Sequence, residues 1–194
     1  MSQFRSYFPF TCILKYIPSR YANLKGWQFY NRRAVIDFGK GVVSEDNKRK
    51  ILKAVQNISK DNTSEYLLCF IPASTRKRHE QRYTELSQYL QKNLDFPVML
   101  NAIEGYDRNP EYSRYKDPNI ADSPYYSVFD FKIDSSLFRN KRVILIDDII
   151  TTGNTLARYG HVIKDCGAVS VYGVIFAMTI HPKLPKKKSM IRAV

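Results

Sequence analysis

Two adjacent acids followed by a run of small hydroxyl residues give this chain its strongest chemical signal. Residues 143–156 read Val-Ile-Leu-Ile-Asp-Asp-Ile-Ile-Thr-Thr-Gly-Asn-Thr-Leu. The apolar run has the look of a buried strand that delivers Asp147 and Asp148 to the carboxyl edge of a parallel sheet, where ligands bind in open α/β folds. Thr151, Thr152, Gly153, Asn154 and Thr155 then form a loop that opens a helix. Such a loop aims backbone N–H groups and threonine hydroxyls at one spot, at the positive end of the helix. That is an anion cradle suited to a phosphate monoester. Gly153 lets the backbone come close to it. The two carboxylates fall where the hydroxyls of a sugar carrying that phosphate would lie. Acceptors for hydroxyls beside donors for phosphate spell a sugar-phosphate site.

Other strand-and-acid motifs fit less well. Receiver domains carry their acid pair near the domain's start, whereas only 46 residues follow Asp148 here. Haloacid-dehalogenase phosphatases need Asp-x-Asp-x-Thr, which is absent. A Walker loop needs Gly-Lys-Ser/Thr and a dinucleotide fingerprint needs three spaced glycines; neither occurs. The bland alternative is a structural strand–turn–helix whose acids merely face solvent.

The elements that must position these groups alternate along the chain. Residues 66–71 are a continuous apolar run stopped by Pro72, as in a strand buried on both faces. Residues 79–94 carry Tyr83, Leu86, Leu90 and Leu94 on one stripe, which predicts a helix. Residues 97–103 and 125–131 read as short strands. Strand 143–147 is followed by a loop, a helix over about 154–166 with Gly167 as its stop, and a last strand over 169–177. Upstream, residues 34–38 read as a short strand broken by Gly39 and Gly41. Ser44 caps a helix with Glu45 and Asp46 in its first turn and Ile51, Val55 and Ile58 on its apolar face. This order predicts an α/β fold with a mostly parallel sheet flanked by helices. At 194 residues the chain is expected to be one domain, with 66–177 as its core and 1–60 an N-terminal region of unassigned role.

Between residues 104 and 123 the character changes. Gly105, Pro110 and Pro118 interleave with Arg108, Tyr112, Arg114, Tyr115 and Lys116 in a polar loop. Structureless loops beyond ~12–15 residues inside a compact domain are usually lids or disordered. The alternative to a lid is an idle insertion.

Composition bounds the partners. Lys and Arg number 31 against 18 Asp and Glu, a formal net charge of +13 that favours polyanions: nucleic acid, an acidic membrane surface or phosphorylated metabolites. The apolar runs are far short of the ~20 residues that a membrane helix needs. Residues 1–10 show no basic region followed by an apolar stretch, so no signal peptide is predicted. Cys12, Cys69 and Cys166 are odd in number and widely spaced. That argues against a disulfide framework or a four-cysteine zinc site and for a reducing, cytoplasmic setting.

Residues 143–156 resemble the phosphoribosyl-pyrophosphate (PRPP) signature of type I phosphoribosyltransferases: an apolar strand, two acids, two residues, then Thr-Thr-Gly-x-Thr. The resemblance implies a type I phosphoribosyltransferase fold with a flexible hood. It implies that Asp147 and Asp148 are the catalytic pair, holding the ribose 2′- and 3′-hydroxyls. Thr151, Thr152, Gly153, Asn154 and Thr155 would wrap the 5′-phosphate. A Mg²⁺ ion would bridge the pyrophosphate to the ribose, with no direct protein ligand.

Cys69-Phe70-Ile71-Pro72-Ala73-Ser74, followed by Arg76-Lys77-Arg78 and Arg82-Tyr83, is similar to the competence-protein F (ComF) branch of these enzymes. The similarity implies that Ala73, Ser74, Thr75 and Arg76 contact pyrophosphate, a polyanion that Arg can bind bidentately. Two features depart from that branch: Arg82-Tyr83-Thr84-Glu85 lacks its glycine, and the N-terminal four-cysteine zinc module is missing. Residues 104–123 hold the chain position of the hood, whose Arg108, Arg114 and Lys116 are lid candidates over pyrophosphate.

Two functions follow. One is a cytoplasmic enzyme that moves a phosphoribosyl group to or from a nitrogenous base with pyrophosphate exchange, expected as a homodimer. The alternative is a non-enzymatic descendant of the fold that binds nucleic acid, in DNA uptake or regulation, through Arg32-Arg33, Lys48-Arg49-Lys50 and residues 183–188. The histidines His79, His161 and His181 are scattered without metal-ligand spacing, and His161 is expected at or near the surface. The cysteines read as core fillers.

Overall fold

In a computed structural model of the chain, residues 8–18, 24, 26–60, 63–105 and 131–180 are described. Five strands form one parallel sheet in the order β1-β7-β6-β2-β3. They are β1 (Phe10–Tyr16), β2 (Tyr66–Phe70), β3 (Val98–Met99), β6 (Arg142–Ile150) and β7 (Ser170–Thr179). A separate antiparallel pair joins β4 (Ile103–Gly105) to β5 (Phe131–Ile133). The helices are α1 (Trp27–Gly39), α2 (Glu45–Ile58), α3 (Arg76–Asn93) and α4 (Asn154–Asp165). The expected fold class, a parallel sheet flanked by helices, is the one observed.

Helices cover both faces of that sheet. On one, Phe38 of α1, Ile51 and Val55 of α2, and Tyr83, Leu86 and Leu90 of α3 pack on Leu68, Phe70, Ile144 and Ile146. On the other, Leu156, Tyr159 and Ile163 of α4 pack on Cys69, Leu145 and Ile175. Strands buried on both faces read as unbroken apolar runs, and all five residues of β2 are buried. The chain thus leaves β2 toward one face and β6 toward the other. The crevice between the carboxyl ends of these neighbouring strands is a topological switch point.

Several expectations hold. Ser44 caps α2, its hydroxyl accepting from the Asn47 N–H at 3.4 Å. Gly167, at φ 89°, follows the end of α4. All three cysteines are free thiols, but only Cys69 fills the core as expected; Cys12 and Cys166 are half-buried. His161 is half-buried with its ring edge-on to Phe8 at 5.1 Å.

Other expectations are corrected. Residues 34–38 are not a strand but the end of α1, which buries Val35 and Phe38 at helical spacing. A five-residue apolar window cannot tell the two apart. Residues 97–103 hold two short strands, β3 and β4, in different sheets. Strand β6 runs to Ile150 rather than stopping at Asp147, because β7 keeps pairing with it through Ile150↔Met178. The edge strand β1, parallel to β7, is an element that the sequence pattern does not predict. Residues 106–124, most of the expected hood, lie outside the described residues, as do 125–130 of the strand expected at 125–131.

Candidate functional site

Asp147 and Asp148 stand where β6 outlasts one neighbour. Strand β2 pairs with β6 only as far as Phe70↔Ile146, and the Ile71 N–H closes the ladder on the Ile146 carbonyl at 2.9 Å. Four residues of β6 continue beyond that point, beside β7 alone. Each acid folds back on the next amide: Asp147 Oδ1 accepts from the Asp148 N–H and Asp148 Oδ1 from the Ile149 N–H, both at 2.8 Å. Asp147 is 7% exposed, and its burial, aided by the adjacent carboxylate, pushes its pKa well above the usual carboxylate range. Asp148 is more open and meets Arg82 of α3, with Nη1 2.5 Å from its Oδ2.

The loop after β6 is short and polar. Thr151, Thr152, Asn154 and Thr155 are exposed, while Gly153 is buried. Gly153 caps α4 in the left-handed conformation at φ 86°, which any other residue adopts at a cost. It brings no side chain to the helix N-terminus, whose first-turn amides are therefore open to a ligand except where Thr152 Oγ1 accepts from the Asn154 N–H at 3.4 Å. Thr151 Oγ1 lies 3.1 Å from Thr179 Oγ1, pinning the loop to the end of β7. Beneath it, Gly173 lets the helix sit low: a Cβ there would come 2.8 Å from Leu156 Cδ2.

The loop after β2 flanks the crevice from the other side. Pro72 and Ala73 are buried, and Ser74 and Arg76 are exposed. Thr75 caps α3 by accepting from the Arg78 N–H at 3.2 Å, and Arg78 Nη1 reaches Ser74 Oγ at 3.1 Å. Arg76 pairs with Glu80 on the helix surface. The Ala73 N–H points at His79 Nδ1 at 3.4 Å.

The structure thus gathers three of the expected groups around one crevice: the acid pair, the 151–155 loop and the 73–76 loop. Arg108, Arg114 and Lys116 lie outside the described residues. Sequence reading missed Arg82 and His79 as parts of the site. The signal was there: two basic residues fall within the face of α3 that carries Tyr83, Leu86 and Leu90 into the core. Among the described residues no cluster of three or more His, Cys, Asp or Glu could hold a metal ion.

The phosphoribosyl transferase domain family matches residues 84–194, more than half of the chain. The chain belongs to this family. The matched span contains Asp147, Asp148 and the 151–155 loop, and it begins just after Arg82. Among solved structures, the chain is similar to a hypoxanthine phosphoribosyltransferase from Staphylococcus aureus, 17% identical, with a TM-score of 0.41 and 73% of this chain and 77% of that one covered. A hypoxanthine-guanine-xanthine phosphoribosyltransferase is 13% identical, with a TM-score of 0.37 and 76% of each chain covered. A purine phosphoribosyltransferase from Pyrococcus horikoshii is 14% identical, with a TM-score of 0.36 and 74% of this chain and 93% of that one covered. No curated protein matches the chain.

Several cations outside the crevice are held by local acids. Arg33 pairs with Asp37, Lys50 with Asp46 and Arg142 with Glu65. Lys48 is buried between Glu45 and Glu85. Arg32 donates to the carbonyls of Ile17 and Pro18 and ties α1 to the end of β1. Residues 183–188 lie outside the described residues.

Proposed function

We propose that this member of the family binds PRPP with Mg²⁺ and exchanges its pyrophosphate for a nitrogenous base. The observation that carries the proposal is the placing of Asp147 and Asp148 in the same crevice as the Gly153-capped N-terminus of α4. Carboxylates accept hydrogen bonds from ribose hydroxyls, and open helix amides with threonine hydroxyls receive the 5′-phosphate. Ala73, Ser74, Thr75 and Arg76 take the pyrophosphate from the opposite side. An oxygen-only donor set suits a hard cation, and two carboxylates are too few to cage one alone, so Mg²⁺ arrives with its ligand. When bound, it offsets the charge of the departing pyrophosphate.

In the forward direction the lone pair of a base nitrogen forms a bond to the anomeric carbon. The bond from that carbon to pyrophosphate breaks, its electron pair leaves with pyrophosphate, and the nitrogen's proton passes to solvent. The chain's share is to hold both partners in line and to keep water from the anomeric carbon. The similarity of residues 69–83 to the ComF branch supports a position near that branch; the scattered cysteines support a cytoplasmic setting, and the phosphoribosyltransferase resemblance a homodimer.

The polynucleotide-binding alternative draws less support, because Arg33, Lys48 and Lys50 already face carboxylates of their own. A screen of free bases with Mg-PRPP, read as pyrophosphate release, tests the proposal. Release with at least one base supports it. Mg-PRPP binding without release on any base favours the non-enzymatic reading.

A further inference from the structure

His79 occupies a position that neither the acid pair nor the phosphate cradle explains. It lies in the first turn of α3 and is 5% exposed, with its ring edge-on to that of Tyr83 at 5.1 Å. Both ring nitrogens are engaged. Nε2 is 2.8 Å from the Leu100 carbonyl, and Nδ1 faces the Ala73 N–H at 3.4 Å. A carbonyl can only accept and an amide can only donate. The ring must therefore be neutral, with its proton on Nε2 and its lone pair on Nδ1.

These two bonds join segments that are far apart in sequence. Ala73 opens the loop that leads into α3, and Leu100 lies in the connection from β3 to β4. With its N–H turned inward to His79, the Ala73 peptide is fixed. Ser74 and Thr75 next to it are then presented on the exposed side, where Arg78 and the α3 cap hold them.

We infer that His79 is a positioning residue for the 73–76 loop, setting the conformation in which that loop grips pyrophosphate. The inference rests on the proposed pyrophosphate role of this loop. A proton on Nδ1 would place one donor against another and release Ala73. Among the described residues the charged groups facing the ring are Arg82 and Glu80, both on α3; Ala73 and Leu100 meet it through backbone groups. Burial, seconded by Arg82, keeps the imidazole pKa below its ordinary value, so the gripping form prevails at neutral pH.

Two substitutions separate positioning from mere packing. In His79→Asn the side-chain carbonyl can stand in for Nδ1, keeping the Ala73 bond and losing Leu100. In His79→Gln the amide nitrogen can reach Leu100, and Ala73 loses its acceptor. Binding of Mg-pyrophosphate to the full chain is measured by titration calorimetry from pH 5 to 8, alongside melting temperature. The Ala73 amide is followed by ¹⁵N NMR. The Asn variant is expected to stay within ~3-fold of the unaltered chain and the Gln variant to weaken by ~10-fold or more, the loss of one buried acceptor. The ratio of unaltered to Asn affinity should fall with acidification, and the Ala73 amide should exchange faster in the Gln variant. If the unaltered chain binds Mg-pyrophosphate and the Asn and Gln variants bind it equally, or if the Ala73 amide exchanges no faster in the Gln variant, the inference is overturned alone. If the unaltered chain does not bind Mg-pyrophosphate, the role of the 73–76 loop falls and the inference falls with it.

Discussion

Arg82 Nη1 stands 2.5 Å from Asp148 Oδ2, so α3 sets a cation against the acid pair at the end of β6. The two side chains are 17% and 25% exposed, between the regimes of surface and buried pairs. Removing Arg82 takes from two neighbouring carboxylates the cation that faces them among the described residues. Arg82→Ala is expected to destabilise the chain by about 1–3 kcal/mol. A double-mutant cycle with Asp148→Asn in urea should return a coupling of about 0.5–3 kcal/mol. Additive single effects would mean that the contact contributes nothing.

Asp147 should weaken the fold that it serves. Its pKa is raised in the native state, so the native state binds its proton more tightly than the unfolded chain does. Between the unfolded value and the raised one, stability therefore falls as pH rises. Asp147→Asn removes that penalty. The variant should melt higher than the unaltered chain at pH 7, at about 2–4 °C per kcal/mol for a chain of this size. The gap should close as pH is lowered toward the ordinary carboxylate range. A melting temperature that drops at pH 7 would count against a carboxyl whose charged form is disfavoured by burial.

Gly153 ties shape to ligand. Its φ of 86° would carry a Cβ into left-handed backbone, at about 1–2 kcal/mol. Gly153→Ala should thus lower the melting temperature by roughly 2–8 °C. It should weaken Mg-PRPP binding by ~10-fold or more if the cap closes against the phosphate. Calorimetry on the folded variant reads the second effect apart from the first, and unchanged affinity would remove the cradle from the site.

Much of this could be read in the residues. The run 143–146 is apolar because β6 is buried on both faces, and Thr-Thr-Gly-Asn-Thr is polar because it turns at the carboxyl edge. Burial and turn chemistry are local properties, so they leave local marks. Edge strand β1 leaves fewer, since six of its seven residues are only half-buried and its pairing with β7 spans most of the chain. The end of α1 misled for a related reason: Val35 and Phe38 are buried at helical spacing, and a window confined to 34–38 holds too little of that period. Arg82 and His79 were legible as residues but not as neighbours. Only the packing of α3 beside β2 and β6 brings one to Asp148 and the other to Ala73. The net charge of +13 told least about partners, because which cations are paired, as Arg33, Lys50, Lys48 and Arg142 are with Asp37, Asp46, Glu45, Glu85 and Glu65, is a matter of geometry.

The central claim is that Asp147, Asp148 and the 151–155 loop hold PRPP. Titration calorimetry of Mg-PRPP into the full chain, repeated with Asp147→Asn/Asp148→Asn, tests it most directly. Saturable binding is expected for the unaltered chain. None is expected for the doubly substituted chain at the same ligand concentrations, with circular dichroism showing both folded. No binding by the unaltered chain, or equal binding by a folded double variant, would contradict the claim.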